Sequence, residues 1–201
     1  MSRVKRLRSG KFSGKVFGAT QRFEPTPTYW NTKQSAPLID KVRPGMGYRH
    51  LLSKADILAF IELLPNWDEL SEGLDAIVLA AGEPEMEGWY VDGVVGVCAW
   101  DRDLWRRHPL HYFEENQDVF ERLGVDCERR GARVLCRFTE SQARAWQMVN
   151  ILLHELGHHH DRINTRSKRE CSRGEPYAEA YALEYEGIIW DRYIEVFGLP
   201  G

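Results

Sequence analysis

The chain has 201 residues, of which 43% are hydrophobic and 28% are charged, and its formal net charge is −3 at pH 7. These values are ordinary for a soluble globular protein and predict one domain that is long enough to bury a core. No apolar run approaches the roughly eighteen residues of a membrane span, and the N-terminus lacks the apolar segment of a secretory signal. We therefore expect a cytoplasmic protein.

The four cysteines are scattered along the chain, so the sequence contains no C-x-x-C motif of the kind found in zinc knuckles or thioredoxins. Two disulfides are formally possible. Because no export signal is present, reduced thiols are the favoured prediction. The cysteines are Cys98, Cys127, Cys136 and Cys171.

The N-terminal segment, residues 1–45, is rich in glycine and proline, and residues 3–22 contain seven Lys and Arg side chains but no acid. A solvated tail or a strap on the domain is one interpretation of this basic arm. Contact with nucleic acid or an acidic partner is the alternative. It is not favoured, because the remainder of the chain is acidic and would repel DNA. We expect residues 46–201 to form a single domain.

The middle of the chain alternates short helical and strand patterns, so the sequence predicts an α+β fold. Ser53 caps the first predicted helix, and Asp92-Gly93 is a strong hairpin turn signal. The predicted helices cover residues 54–64 and 109–123. The predicted strands cover residues 76–81, 89–91, 94–100, 125–127 and 133–138, with a turn at 130–131.

Two long helices are predicted in the last third of the chain. Thr139 and Gln142 form a capping box for a helix that runs to about Asp161. A polar loop over residues 162–174 follows. Pro176 suits the first turn of a helix that continues to about Val196.

The first of these helices carries the pattern H-E-x-x-H at His154, Glu155 and His158. Residues four apart share one face of a helix, so the two histidines can bind one metal ion. The chemistry that this pattern supports is a zinc-held water with the glutamate as general base. We therefore predict Zn²⁺ as cofactor and Glu155 as the catalytic residue.

A catalytic zinc usually has three protein ligands and one open position. No histidine follows His160, so a carboxylate must supply the third ligand. The spacing alone leaves several glutamates open, and two of these, Glu175 and Glu179, share a helix face. All the candidates lie at or on the last helix: Glu175, Glu179, Glu184 and Glu186.

The segments HELGHHHD at 154–161 and EPYAEAYA at 175–182 resemble the gluzincin metallopeptidases, in particular the minigluzincins and the catalytic domain of anthrax-lethal-factor-like peptidases. The resemblance covers about residues 139–190. It implies a zincin-like fold, in which a small twisted sheet packs on an active-site helix and a glutamate helix. It also implies zinc-dependent hydrolysis of peptide bonds in a peptide or protein substrate. By the same match Glu175 is the third zinc ligand, Glu179 holds a ligand histidine such as His154, and small residues let the two helices approach closely.

The chain departs from lethal-factor-like enzymes because residues 162–174 contain no tyrosine that could stabilise the oxyanion. The candidates that remain are Arg173, Tyr177 and Tyr181, together with the loop side chains Arg166, Lys168 and Arg169. The predicted strand 133–138 leads into the active-site helix. In zincins an edge strand in this neighbourhood aligns the substrate, and strand 133–138 is the candidate for that role. The alternative is that strand 133–138 lies in the interior of a sheet.

A domain that binds zinc without catalysis is the alternative to a zinc peptidase. Structural zinc sites are usually closed by four protein ligands. Since no fourth ligand is obvious in the sequence, an open and catalytic site is the favoured prediction.

Overall fold

The computed structural model of the protein describes residues 26–165 and 172–200, which form a mixed α+β fold. The strands are β1 (Leu38–Lys41), β2 (Tyr48–Arg49), β3 (Ala76–Ala80), β4 (Gly88–Val91), β5 (Val94–Cys98), β6 (Trp100–Asp101), β7 (Trp105–Pro109), β8 (Asp126–Arg130) and β9 (Arg133–Arg137). The helices are α1 (Lys54–Ile61), α2 (Trp67–Leu70), α3 (Leu110–Glu115), α4 (Gln117–Arg122), α5 (Glu140–Ala145), α6 (Leu153–Asn164) and α7 (Glu175–Phe197). The α+β expectation is confirmed at this level.

The largest sheet has the strand order β1-β3-β5-β4. The first three strands are parallel, whereas β4 runs antiparallel to β5 and forms one edge. Strands β3 and β5 are buried along their whole length, as their continuous apolar sequences predict. The predicted hairpin around Asp92-Gly93 is confirmed and creates the edge strand β4.

A second sheet has the order β7-β9-β8, and all its pairs are antiparallel. Strand β9 therefore lies in the middle of this sheet. The idea that residues 133–138 form an edge strand is wrong, and the interior alternative is correct. The physical reason is that β7, which the sequence analysis did not predict, pairs with the side of β9 that β8 leaves open.

Three other boundaries differ from the sequence prediction. Helix α1 has the expected cap, in which Ser53 and Asp56 bond reciprocally, but it ends at Ile61 rather than at residue 64. The single helix expected over 109–123 is divided at Asn116, whose side-chain amide donates to the Tyr112 carbonyl. Strand β1 lies within the segment predicted as an arm or strap and joins the largest sheet beside β3. Residues 1–25, and with them the basic side chains, lie outside the described residues.

The helix that carries the histidine pattern begins at the predicted capping box, where Thr139 and Gln142 bond reciprocally. It continues to Asn164 and contains one π-helical stretch, Trp146–Leu152, immediately before α6. Such π-helical turns are often found next to functional sites. The stretch is buried against the largest sheet and α7, so its wide turn is held in place by packing.

One continuous hydrophobic core joins the two larger sheets to the helices. Its largest fully buried side chains include Trp100, Trp146, Phe60, Phe120 and Tyr193. Among the described residues, none of the helices combines the length and apolar character that a membrane crossing requires.

Candidate metal centre

Three potential metal ligands converge where α6 meets the start of α7. The Nε2 atoms of His154 and His158 are 3.1 Å apart. The Glu175 carboxylate places Oε2 at 3.0 Å from His154 Nε2 and Oε1 at 3.4 Å from His158 Nε2. One ligand atom from each residue lies within 4.8 Å of the others. The structure thus brings together the three residues that the sequence analysis nominated.

The spacing of these atoms fits a zinc ion. Zinc binds nitrogen and oxygen ligands tetrahedrally at about 2.0–2.1 Å, so its ligands should be separated by about 3.3 Å. The three observed separations lie close to that value. Burial lowers the pKa of His154, and the neighbouring His158 lowers it further, so the imidazole is held in the neutral form that a metal requires.

The close approach of α6 and α7 lets Glu175 reach the histidines. A Cβ on Gly157 would lie only 2.8 Å from the Cα of Ala178, so only glycine fits at this crossing. Gly157 lies one residue before His158, and Ala178 lies one turn after Glu175. The expectation that small residues bring the two helices together is confirmed at this pair.

Asp161 fixes the position at which helix α7 begins. Its side chain is fully buried and accepts from the backbone N–H of Arg173 at 2.8 Å, from Arg173 Nε at 2.7 Å and from the backbone N–H of Gly174 at 3.3 Å. Burial alone would raise the pKa of Asp161, but these hydrogen bonds outweigh it and the pKa is lowered. The sequence analysis did not nominate Asp161, although an acid one turn after HELGH is a detectable signal.

Glu155 projects into the cleft beside the three ligands, and only 7% of the residue is exposed. Burial, aided by the negative charge of Glu175, raises its pKa to about 8. A Cβ on Gly88 would lie 2.7 Å from Glu155 Oε1, so the absence of a side chain on Gly88 lets the edge strand approach this carboxylate. Glu155 is thus held next to both the metal ligands and β4.

The cleft has a volume of about 770 Å³ and lies between β4, the segment that precedes β4, and the helices α3, α6 and α7. Its walls combine apolar side chains with several carboxyl groups and, within the described part of the chain, contain no Lys or Arg. The seven glutamates that line it are Glu85, Glu87, Glu115, Glu155, Glu175, Glu179 and Glu186.

Glu179 lines this cleft one turn beyond Glu175 but makes no hydrogen bond with His154 in the described part of the chain. Its pKa is raised by partial burial and by the carboxylates of Glu115 and Glu175. The structure therefore places Glu179 close to the centre, on the wall of the cleft, and does not join it to the histidine that the sequence analysis assigned to it.

The three described candidates for oxyanion stabilisation do not line the cleft. The Arg173 guanidinium binds Asp161 and lies 3.5 Å from the Tyr177 ring centre. The Tyr177 hydroxyl is 2.6 Å from His160 Nδ1, and Tyr181 stacks on Tyr185. The other candidates, Arg166, Lys168 and Arg169, lie outside the described residues.

His159 attaches the edge strand β4 to helix α6, a role that the sequence analysis missed. It is 1% exposed. Its Nε2 is 3.0 Å from the Glu72 carbonyl, so Nε2–H donates there and Nδ1 accepts from the Tyr90 hydroxyl at 3.1 Å. Arg162 adds an ion pair with Asp92 at 2.7 Å. His159 follows Leu152 and Leu156 at helical spacing, and this periodicity could have predicted its burial.

No protein-family model, curated protein or solved structure matches this chain. A functional assignment therefore depends on the residues and geometry of the cleft.

Proposed function

We propose that the protein is a zinc-dependent metallopeptidase of the gluzincin type, with a zincin-like fold. The convergence of His154, His158 and Glu175 beside the buried carboxylate of Glu155 carries this proposal. Two imidazoles and one carboxylate are a ligand set used by catalytic zinc in peptidases.

The three ligands would hold Zn²⁺, which lowers the pKa of a bound water towards neutrality and polarises a carbonyl oxygen. Glu155 is the candidate for the general base, because its buried carboxylate projects into the cleft beside the three ligands. In this proposal a carboxylate oxygen of Glu155 takes the proton from the attacking water. The same oxygen then delivers that proton to the amine that leaves the cleaved peptide bond.

Strand β4 is the candidate for alignment of the substrate, in place of the interior strand β9. It forms an edge of the largest sheet and lines the cleft next to Glu155. An extended peptide can add to such an edge by main-chain hydrogen bonds. The contacts of His159 and Arg162 hold β4 and its turn against α6, so a peptide on this edge would lie in a fixed position relative to Glu155.

The ligand set favours catalysis over a purely structural zinc site. Within the described residues, the cluster contains three ligands and opens into the cleft, whereas structural zinc sites are usually closed by four. The three described cysteines are free, which agrees with the proposed cytoplasmic location. Nucleic-acid binding through residues 3–22 stays a prediction, because that segment lies outside the described residues.

The proposal is tested with purified protein, a diverse peptide library and mass-spectrometric detection of cleavage. We expect wild-type protein to cleave, a chelator to abolish cleavage and added zinc to restore it. Glu155→Gln should retain zinc and lose about 10²- to 10⁴-fold in rate, because the base is removed and the ligands are kept. Glu195→Gln, on the exposed end of α7, is the matched control and should cleave like wild type.

Two results would contradict the proposal. The first is a Glu155→Gln variant that cleaves at the wild-type rate. The second is a zinc-loaded wild-type protein that cleaves no member of the library, which would support the non-catalytic zinc-binding alternative.

A further inference from the structure

Two free cysteines face each other in the hairpin β8–β9, away from the metal ligands. Cys127 and Cys136 are directly opposed in the antiparallel register, and their Sγ atoms are in hydrogen-bond contact at 2.7 Å. The two thiols therefore contact each other directly. No step of the proposed hydrolysis uses either of them.

The hairpin geometry suits a disulfide at this pair. Arg130 and Arg133 close a two-residue turn, and Gly131 supplies the positive φ that such a turn needs. Hydrogen-bonded and non-hydrogen-bonded pairs alternate from the closing pair, so Cys127 and Cys136 form a non-hydrogen-bonded pair with Cα atoms about 4.5 Å apart. Disulfides span about 4.4–6.8 Å between Cα atoms, so the bridge needs no movement of the backbone.

The two thiols differ in their exposure to solvent and in the direction in which their pKa is shifted. Cys127 is partly exposed, whereas Cys136 is 0% exposed. The hydrogen bond with Cys136 lowers the pKa of Cys127, and the same contact together with burial raises the pKa of Cys136. Cys127 is thus the accessible member that ionises first, and Cys136 is the buried member that stays protonated beside it.

We propose that Cys127 and Cys136 form an oxidative modification site, at which a hydroperoxide converts the two thiols into an intramolecular disulfide. The Cys127 thiolate attacks the hydroperoxide, so that an S–O bond forms and the O–O bond breaks. The departing oxygen takes a proton from solvent, where the Cys127 proton was released, and leaves as an alcohol, or as water from hydrogen peroxide. The Cys136 sulfur then attacks the Cys127 sulfenic acid, so that an S–S bond forms and water leaves with the Cys136 proton. The two thiols lose two electrons and the hydroperoxide gains them.

Cys98 provides an internal comparison within the same protein. It is 1% exposed, and burial with nearby glutamates raises its pKa to about 12. It is therefore shielded and protonated at neutral pH, and we expect it to react far more slowly than Cys127.

The test treats the full chain carrying Cys171→Ser with hydrogen peroxide under native conditions and again in denaturant. This substitution removes the one cysteine outside the described residues. Trypsin cuts after Arg129, Arg130 and Arg133, so the Cys127 and Cys136 peptides stay together only through a disulfide. We expect the native chain to lose about 2 Da and to yield this linked pair, which a dithiol reductant should separate. In denaturant the linkages should spread over all three cysteines.

Single variants assign the order of the two steps. Cys136→Ser should stop at a sulfenic acid on Cys127 that a 1,3-diketone probe labels. Cys127→Ser should leave Cys136 no more reactive than Cys98, and Cys98→Ser should behave like the parent protein. If a further serine variant fails to fold, the proposal is still tested by comparing the native and denatured forms of the Cys171→Ser chain. A native chain without the 127–136 linkage, or with as much linkage through Cys98, would overturn it.

Discussion

Gly157 on α6 and Ala178 on α7 are in contact with no space for a side chain on the glycine, since a Cβ would lie 2.8 Å from the Ala178 Cα. Gly157 lies between the two candidate ligand histidines in the sequence, and Ala178 lies one turn after Glu175. We therefore expect the distance between the two helices to determine how well the three residues bind a metal ion.

Gly157→Ala should weaken zinc binding and destabilise the fold by about 1–3 kcal/mol, because the added methyl overpacks the crossing and separates the helices. Chemical denaturation measures the free energy of unfolding, and competition with a chelating dye measures zinc affinity. The control is Gly187→Ala on α7, where nothing lies within 4 Å and alanine should stabilise the helix by about 1 kcal/mol. Equal zinc affinity in Gly157→Ala and wild type would contradict the role given to this contact.

Asp161→Asn should lower zinc affinity by about 10- to 100-fold, because the start of α7 loses the hydrogen bonds that hold Glu175 in position. We also expect a loss of about 1–3 kcal/mol in stability. Isothermal titration calorimetry measures the affinity. Asp191→Asn, which is exposed on α7, is the control, and an unchanged affinity in Asp161→Asn would show that Glu175 is positioned without this carboxylate.

The contribution of Asp161 to stability should depend on pH. Its pKa lies below the ordinary value of 3.8 in the folded protein, so ionised Asp161 stabilises the fold above that value. The contribution is lost as the pH falls through the folded pKa. The stability difference between wild type and Asp161→Asn should therefore shrink from about pH 5 to about pH 3, and a difference that grows would contradict the hydrogen bonding described here.

Local patterns predicted the elements that carry the ligands. The Thr139–Gln142 capping box, the i, i+4 histidines and the proline-led helix at Glu175 are short-range features, and each is present as expected. The helix spacing also left Glu175 available as a ligand. No local pattern indicates that α6 and α7 cross at Gly157, because that contact depends on the packing of two separate segments.

Strand placement could not be predicted in the same way. Which strand lies at the edge of a sheet is decided by pairing between segments far apart in sequence. Strand β7 pairs with β9 and makes it interior, whereas β4 lies at the edge beside Glu155. The oxyanion role of Arg173 or Tyr177 stays a prediction. Their contacts with Asp161 and His160 are tertiary, so no local pattern indicated them.

The negative wall of the cleft should favour positively charged peptides, if the cleft binds substrate as proposed. Glu115 and Glu179 have no cationic partner in the described part of the chain, whereas Glu186 pairs with Arg122 at 2.8 Å. We expect Lys- and Arg-rich peptides to be cleaved with about tenfold higher kcat/KM than matched Glu-rich peptides at low salt. The difference should shrink as salt is added.

Substitution of the two free acids tests the source of this preference. Glu115→Gln combined with Glu179→Gln should reduce the preference for basic peptides, and Glu114→Gln, which is exposed and outside the cleft, should leave it unchanged. A preference for acidic peptides in the wild-type protein would contradict a substrate path along this wall.

The measurement that tests the metal centre most directly is the zinc content of the reconstituted protein, determined by elemental analysis for wild type and for His154→Ala, His158→Ala and Glu175→Ala. We predict one zinc ion per chain in wild type, a loss of tight binding in each of the three variants and full retention in Glu184→Gln. A wild-type protein that binds no zinc, or a Glu175→Ala variant that binds it as tightly as wild type, would contradict the centre described here.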